Sequence, residues 1–191
     1  MTDPIADRRT TKVLVLGAAG SGKTTFIGSA SDIDPVATDV PRSPPAPVDA
    51  GSGPVRTTTA ALDVGRVDVE RHQLLLLATA PPARVPELRA DLGRGAAGAV
   101  VLVDPARASD GYPDIVAASE QRLPFLVAVN PIGRDRDSID DALRMGPQVP
   151  MVVCDARDRA SVKEALRELL GIVATAAPLD DAPADVGPAG G

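Results

Sequence analysis

Eight residues, Gly17-Ala18-Ala19-Gly20-Ser21-Gly22-Lys23-Thr24, constrain this chain more than any other feature, because they spell G-x-x-x-x-G-K-[ST] between an apolar run and a helix-forming segment. Glycines at the ends let the backbone turn so that successive N–H groups converge on one point. An anionic phosphate placed there meets several donors at once, reinforced by the positive end of the helix dipole that follows. Lys23 adds a point charge for the outer phosphates, and the Thr24 hydroxyl suits a magnesium ion. Thr25, in the first helical turn, joins this candidate set.

Such a loop needs a strand before it and a helix after it, and the rest of the chain alternates in the same way. Residues 12–17 (KVLVLG) predict the first strand, and about Gly22 to Ala30 the first helix. Residues 32–57 carry Pro35, Pro41, Pro44, Pro45, Pro47 and Pro54, which predicts a long loop holding neither ladder nor helix. Thr59 to Val69 alternates like a half-exposed edge strand, Gln73 to Thr79 holds the LLLL of a buried one, and Glu70-Arg71 joins them as an antiparallel pair.

Helices near 86–97, 114–121 and 138–145 then lead to strands at Ala99–Asp104, Pro124–Asn130 and Val149–Asp155. A last helix, about Arg159 to Thr175, sets Val162, Ala165, Leu166, Leu169, Ile172 and Val173 at helical spacing, with Asp158 or Ser161 as its cap. The expectation is an α/β three-layer sandwich over residues 12–176, its sheet mostly parallel with one antiparallel edge strand. An N-terminal arm (1–11) precedes it, and a disordered Ala/Pro/Asp/Gly tail (177–191) follows.

At 191 residues the chain suits one domain, and with aromatics at 2% its core must be built from Val, Leu, Ile and Ala. A net charge of −6 argues against a chain that coats nucleic acid or an anionic membrane. One cysteine, Cys154, and one histidine, His72, exclude disulfide frameworks and Cys/His zinc sites. Neither a secretory signal nor a lipidation signal is visible, which predicts a cytoplasmic protein with no direct membrane insertion, any membrane contact running through a partner.

Beyond the phosphate loop, the order of segments from Lys12 to about Ala176 resembles the small GTPases. The runs TTTAALDVGRV (Thr57 to Val67), RGAAGAVVLVD (Arg94 to Asp104), LPFLVAVN (Leu123 to Asn130) and VVCDARDRASVKEAL (Val152 to Leu166) look like the GTPase-like members of bacterial conserved signalling operons, the conservon family. That resemblance implies GTP or GDP and Mg2+ as ligands. It also implies a roadblock-type protein and a histidine-kinase-like membrane sensor as partners. Thr59 takes the place of a first-switch threonine, a second magnesium ligand beside Thr24. Asn130 stands in the guanine-reading loop, and Asp155, Ala156 and Arg157 stand where a further loop offers the Ala156 amide to the base oxygen.

Two motifs depart from the pattern. The second switch normally carries Asp-x-x-Gly, whose carboxylate holds magnesium through water and whose glycine amide senses the γ-phosphate. Here the stretch is Ala78-Thr79-Ala80-Pro81-Pro82, without a carboxylate and with an N–H-less proline at the glycine position. Asp104, ending a buried strand, is either a compensating metal-side carboxylate or the cap of the next turn. The guanine reader Asn-Lys-x-Asp becomes Asn130-Pro131-Ile132-Gly133, with Asp135 or Asp137 as substitutes only if the loop folds back. Cys154 reads as an apolar wall of the base pocket and His72 as a surface residue. Three readings follow: a guanine-nucleotide switch with slow or absent hydrolysis, a nucleotide-free pseudo-GTPase scaffold, or an ATP-binding P-loop protein with Arg134 and Arg136 as the clustered candidates for a lid over the phosphates.

Overall fold

The computed structural model describes residues 10–34, 36–40, 60–79, 93–131 and 149–176. The strands are β1 (Thr10–Gly17), β2 (Val36–Val40), β3 (Ala60–Val69), β4 (His72–Thr79), β5 (Gly98–Val103), β6 (Phe125–Val129) and β7 (Met151–Val153). The helices are α1 (Lys23–Ala30), α2 (Tyr112–Glu120), which follows a 3-10 turn over Pro105–Gly111, and α3 (Arg159–Ala176). One sheet takes the order β2-β3-β4-β1-β5-β6-β7. β4, β1, β5, β6 and β7 pair in parallel, and β3 runs antiparallel to both of its neighbours. The expected fold class holds: a mostly parallel sheet, helices, and one antiparallel strand.

One detail differs. β3 is not at the edge, because β2 pairs along it from Val36↔Val64 to Val40↔Ala60. Residues 36–40 lie in the stretch expected to hold no ladder, yet VATDV contains no proline and three β-branched residues. Pro35 and Pro41 lie in sequence on either side of that run, not within it. The expected arm, most of the proline-rich loop, the helices near 86–97 and 138–145 and the tail lie wholly or mainly outside the described residues.

Strand alternation divides the core into two layers. Val100 and Leu102 of β5 join Val13 and Val15 of β1, Phe26 and Ile27 of α1, and Leu166 and Leu169 of α3 on one face. Val101 and Val103 face the other way, against Val127 and Val129 of β6 and Ile115 of α2. All six residues of β5 are buried, as a central parallel strand requires. Each fully buried leucine on α3 contributes about 1.5–3 kcal/mol, which is how an 18-residue helix with a polar outer face is held to the sheet. Its cap is Asp158, whose Oδ1 accepts from the Ala160 amide at 3.0 Å, while the Ser161 hydroxyl accepts instead from the Asp155 amide.

The end of α1 is pinned as firmly. Asp32 accepts from the Asp68 amide at 2.7 Å and pairs with Arg159. Partial burial alone would raise its pKa, but the Asp68 amide, Arg159 and Lys163 together hold it below the usual carboxylate range. Gly65 sets how closely α1 lies on β3, since a Cβ there would stand 2.5 Å from Ile27 Cγ2. Gly65→Ala should therefore lower stability by about 1–3 kcal/mol through overpacking, measured by urea unfolding. Adding Ile27→Leu, which removes that methyl, should recover part of the loss; no recovery would mean the close approach is not the cause.

Candidate functional site

At the end of β1 the backbone turns through Gly17 at φ 138°, where a Cβ would lie 2.4 Å from the Leu102 carbonyl oxygen. Gly22, at φ 104°, heads α1, and a Cβ there would meet Asn130 Nδ2 at 2.4 Å. Both positions require glycine for dihedral and space together. Between them the Ser21 amide donates to Ala18 O at 3.2 Å, and the Phe26 amide closes the first helical bond to Gly22 O at 2.8 Å.

Lys23 is 7% exposed, and its Nζ donates to Gly17 O and Ala18 O at 2.8 Å each. The ammonium is thus held across the loop by the carbonyls of the loop itself. Thr24 faces outward from the first turn of α1, and its hydroxyl donates to Asp63 Oδ2 at 2.6 Å. Thr25 is exposed beside it.

Asp63 is the residue that sequence reasoning missed. Along β3, residues 63, 65, 67 and 69 share the face turned toward α1, where Val67 and Val69 pack in the core and Gly65 touches Ile27. Asp63 continues that row to the start of α1. Its register partner on β4 is Ala78, the position where the expected carboxylate is absent. Opposed residues of an antiparallel pair stand about 4.5–5.5 Å apart at Cβ on one face. A carboxylate at 63 therefore stands beside position 78, at the same corner of the sheet. A signal was available in sequence: an aspartate at an inward position of an otherwise apolar alternation.

Across the site, Asn130 follows β6 and is 2% exposed. Its Nδ2 donates to Ser21 O at 2.9 Å, and its Oδ1 accepts from the Ala156 amide at 3.2 Å. Asn130, expected in the guanine-reading loop, is here a brace between the phosphate loop and the loop after β7. The Ala156 amide, expected to face a base oxygen, is engaged by Asn130. Ser29 of α1 donates to Ala156 O at 2.7 Å, so that loop is tied to α1 as well. Asp155 accepts from Arg157 through Nε at 3.0 Å, Nη2 at 2.9 Å and the backbone amide at 3.0 Å. The Arg157 guanidinium and then its amide hold the Asp155 carboxyl below its ordinary range.

Asp104 caps the 3-10 turn after β5, its Oδ1 accepting from the Ala106 amide at 3.0 Å, and pairs with Arg107, which settles its local role as a cap. His72 begins β4 and is half-buried, more enclosed than expected. The structure thus brings the loop residues 17–25, Asn130 and residues 155–157 to the C-terminal ends of β1, β6 and β7. Thr59, Ala80-Pro81-Pro82, Ile132-Gly133, Arg134, Asp135, Arg136 and Asp137 lie outside the described residues.

Comparison with solved structures decides the architecture. The G domain of the FeoB iron transporter from T. maritima superposes with a TM-score of 0.55 at 15% identity, over 88% of this chain and 99% of that one. The chain has the fold of a P-loop G domain. The cytosolic domain of the same transporter matches in its apo form (TM-score 0.60, 12% identity, 86% of this chain and 64% of that one) and in a GDP form (0.57, 12%, 88% and 65%). This chain therefore spans a little under two thirds of that cytosolic domain. No protein-family model matches the sequence, and no curated protein matches it significantly. Among the described residues no helix of this G-domain fold is long and apolar enough to cross a membrane.

Cys154 lies fully buried in the core, its amide donating to Val129 O at 2.9 Å. Burial first, and then the charges of Asp155 and Asp158, push its pKa up to about 11 against a hydrogen bond from Ser161 that lowers it. Because the thiolate is the reactive form, Cys154 should label at pH 8 at least roughly a hundredfold more slowly in the folded protein than in urea. Equal rates by thiol titration would mean that this loop is open in solution.

Proposed function

We propose that this G-domain fold binds a guanine nucleotide with magnesium and serves as a slow-hydrolysing switch. The observation that carries the reading is the juxtaposition of three groups: the phosphate loop closed by glycines, Lys23 held across it, and the Thr24 hydroxyl 2.6 Å from the Asp63 carboxylate. Magnesium takes oxygen ligands, commonly one or two carboxylates or hydroxyls with the phosphates of the nucleotide. Among the described residues no group of three or more His, Cys, Asp or Glu gathers, so the donor set fits an ion shared with a phosphate rather than a protein cage. Thr24 and Asp63 would hold it, and the ion would neutralise charge on the outer phosphates. The solved FeoB cytosolic domain in a GDP form supports a guanine nucleotide as the ligand of this architecture.

Slow or absent hydrolysis follows from the sequence around Pro81-Pro82: a proline offers no amide to the γ-phosphate, and no glutamine follows to orient water. Thr59 would supply a second hydroxyl to magnesium when a γ-phosphate is present. The resemblance of four sequence blocks to the conservon family supports a role on the cytoplasmic side of a signalling complex. Its partners there would be a roadblock-type protein and a histidine-kinase-like sensor, and any membrane association would run through the sensor.

Calorimetric titration with GTP, GDP and ATP in magnesium tests this reading. GTP and GDP should bind, ATP should compete poorly, and Lys23→Ala should weaken GTP binding by at least about tenfold, the scale of one charge-assisted hydrogen bond. Absence of binding to all three would favour the pseudo-GTPase scaffold, and preference for ATP the ATP-binding reading.

A further inference from the structure

The phosphate loop has a second cation above it. Arg107 sits within the 3-10 turn after β5 at φ −137° and ψ 45°, a non-helical break. Its Nη2 lies 3.4 Å from Ala19 O and 3.4 Å from where a Cβ of Gly20 would stand. Its Nε faces Asp104 Oδ2, also at 3.4 Å. Asp104 is itself fixed, 8% exposed and capping the turn, so the arginine is anchored at one edge. The side chain as a whole remains 52% exposed.

These contacts are weak by distance, and a half-exposed i,i+3 ion pair contributes little to stability. What sets Arg107 apart is its aim. A nucleotide lying from the metal side, at Thr24 and Asp63, to the base side, at Asn130 and Ala156, crosses the sheet from β3 and β4 toward β6 and β7. The turn after β5 lies on that path, and Arg107 reaches from it to the third and fourth residues of the loop. One divalent cation and Lys23 leave a triphosphate with net negative charge, and the chain as a whole carries −6. A guanidinium matches phosphate oxygens with parallel donors, and exchanging a 3.4 Å carbonyl interaction for an anion costs little.

Resting on the nucleotide-binding reading above, we infer that Arg107 is a phosphate-binding residue supplied in cis, which leaves Ala19 O to contact the phosphate chain while Asp104 keeps its Nε in place. The alternative is a structural tether on the loop. Arg107→Gln separates the two: it keeps an N–H donor for Ala19 O and loses the charge, whereas Arg107→Lys keeps the charge and loses the fork.

The experiment measures affinity for GTP and for inorganic tripolyphosphate, in magnesium and across a range of salt, with the thermal midpoint of each variant. Arg107→Ala and Arg107→Gln should weaken both ligands about tenfold or more and flatten the salt dependence, with Arg107→Lys closer to wild type and all midpoints within a few degrees. Binding within twofold of wild type for Arg107→Ala, or full rescue by Arg107→Gln, overturns the inference and leaves the nucleotide-binding reading standing. Absence of binding by the wild type overturns both.

Discussion

Everything at this site depends on the backbone path between Gly17 and Gly22. Both take positive φ, and at both a Cβ would collide with a fixed neighbour, the Leu102 carbonyl in one case and the Asn130 amide in the other. The collisions show how tightly the loop is boxed in: β5 lies under it and the residue after β6 beside it. Asn130 then joins it to the Ala156 loop, and Ser29 joins that loop to α1. A loop held on several sides can present its amides without first becoming ordered, so the affinity is not spent on ordering it.

Much of this was legible in the sequence. The motif G-x-x-x-x-G-K-[ST] with its flanks locates β1 and α1, and the strands expected at Ala99–Asp104 and Pro124–Asn130 match β5 and β6 within one residue at each end. The i, i+3, i+4 pattern of Val162, Ala165, Leu166 and Leu169 located the buried face of α3. β2 is hidden because high proline density argues against a strand, whereas the run VATDV itself holds no proline. Asn130, Asp155, Ala156 and Arg157 were found as a group, but their mutual hydrogen bonds were not, since pairing across 26 residues leaves no trace in local pattern.

Asp63 shows most clearly how far local pattern reaches. Read along the chain, a missing Asp-x-x-Gly is a lost carboxylate. Read across the ladder, Ala78 faces Asp63, whose oxygen lies against the Thr24 hydroxyl. Strand pairing makes positions far apart in sequence equivalent in space, and a single sequence shows the deletion without its counterpart. The same limit hid Arg107, which is one ordinary arginine in sequence and reaches the phosphate loop only because β1 and β5 are neighbours.

On the proposed reading, Asp63 would be the metal-side carboxylate of this site, acting with Thr24. That role is tested most directly by the magnesium dependence of GTP affinity in wild type and in Asp63→Asn, an isosteric change that keeps a hydrogen-bond acceptor for Thr24 and removes the charge. Wild-type affinity should rise with magnesium and Asp63→Asn should lose most of that dependence, with an effect of about tenfold or more in saturating metal and little in its absence. Equal magnesium dependence in the two proteins would contradict that role.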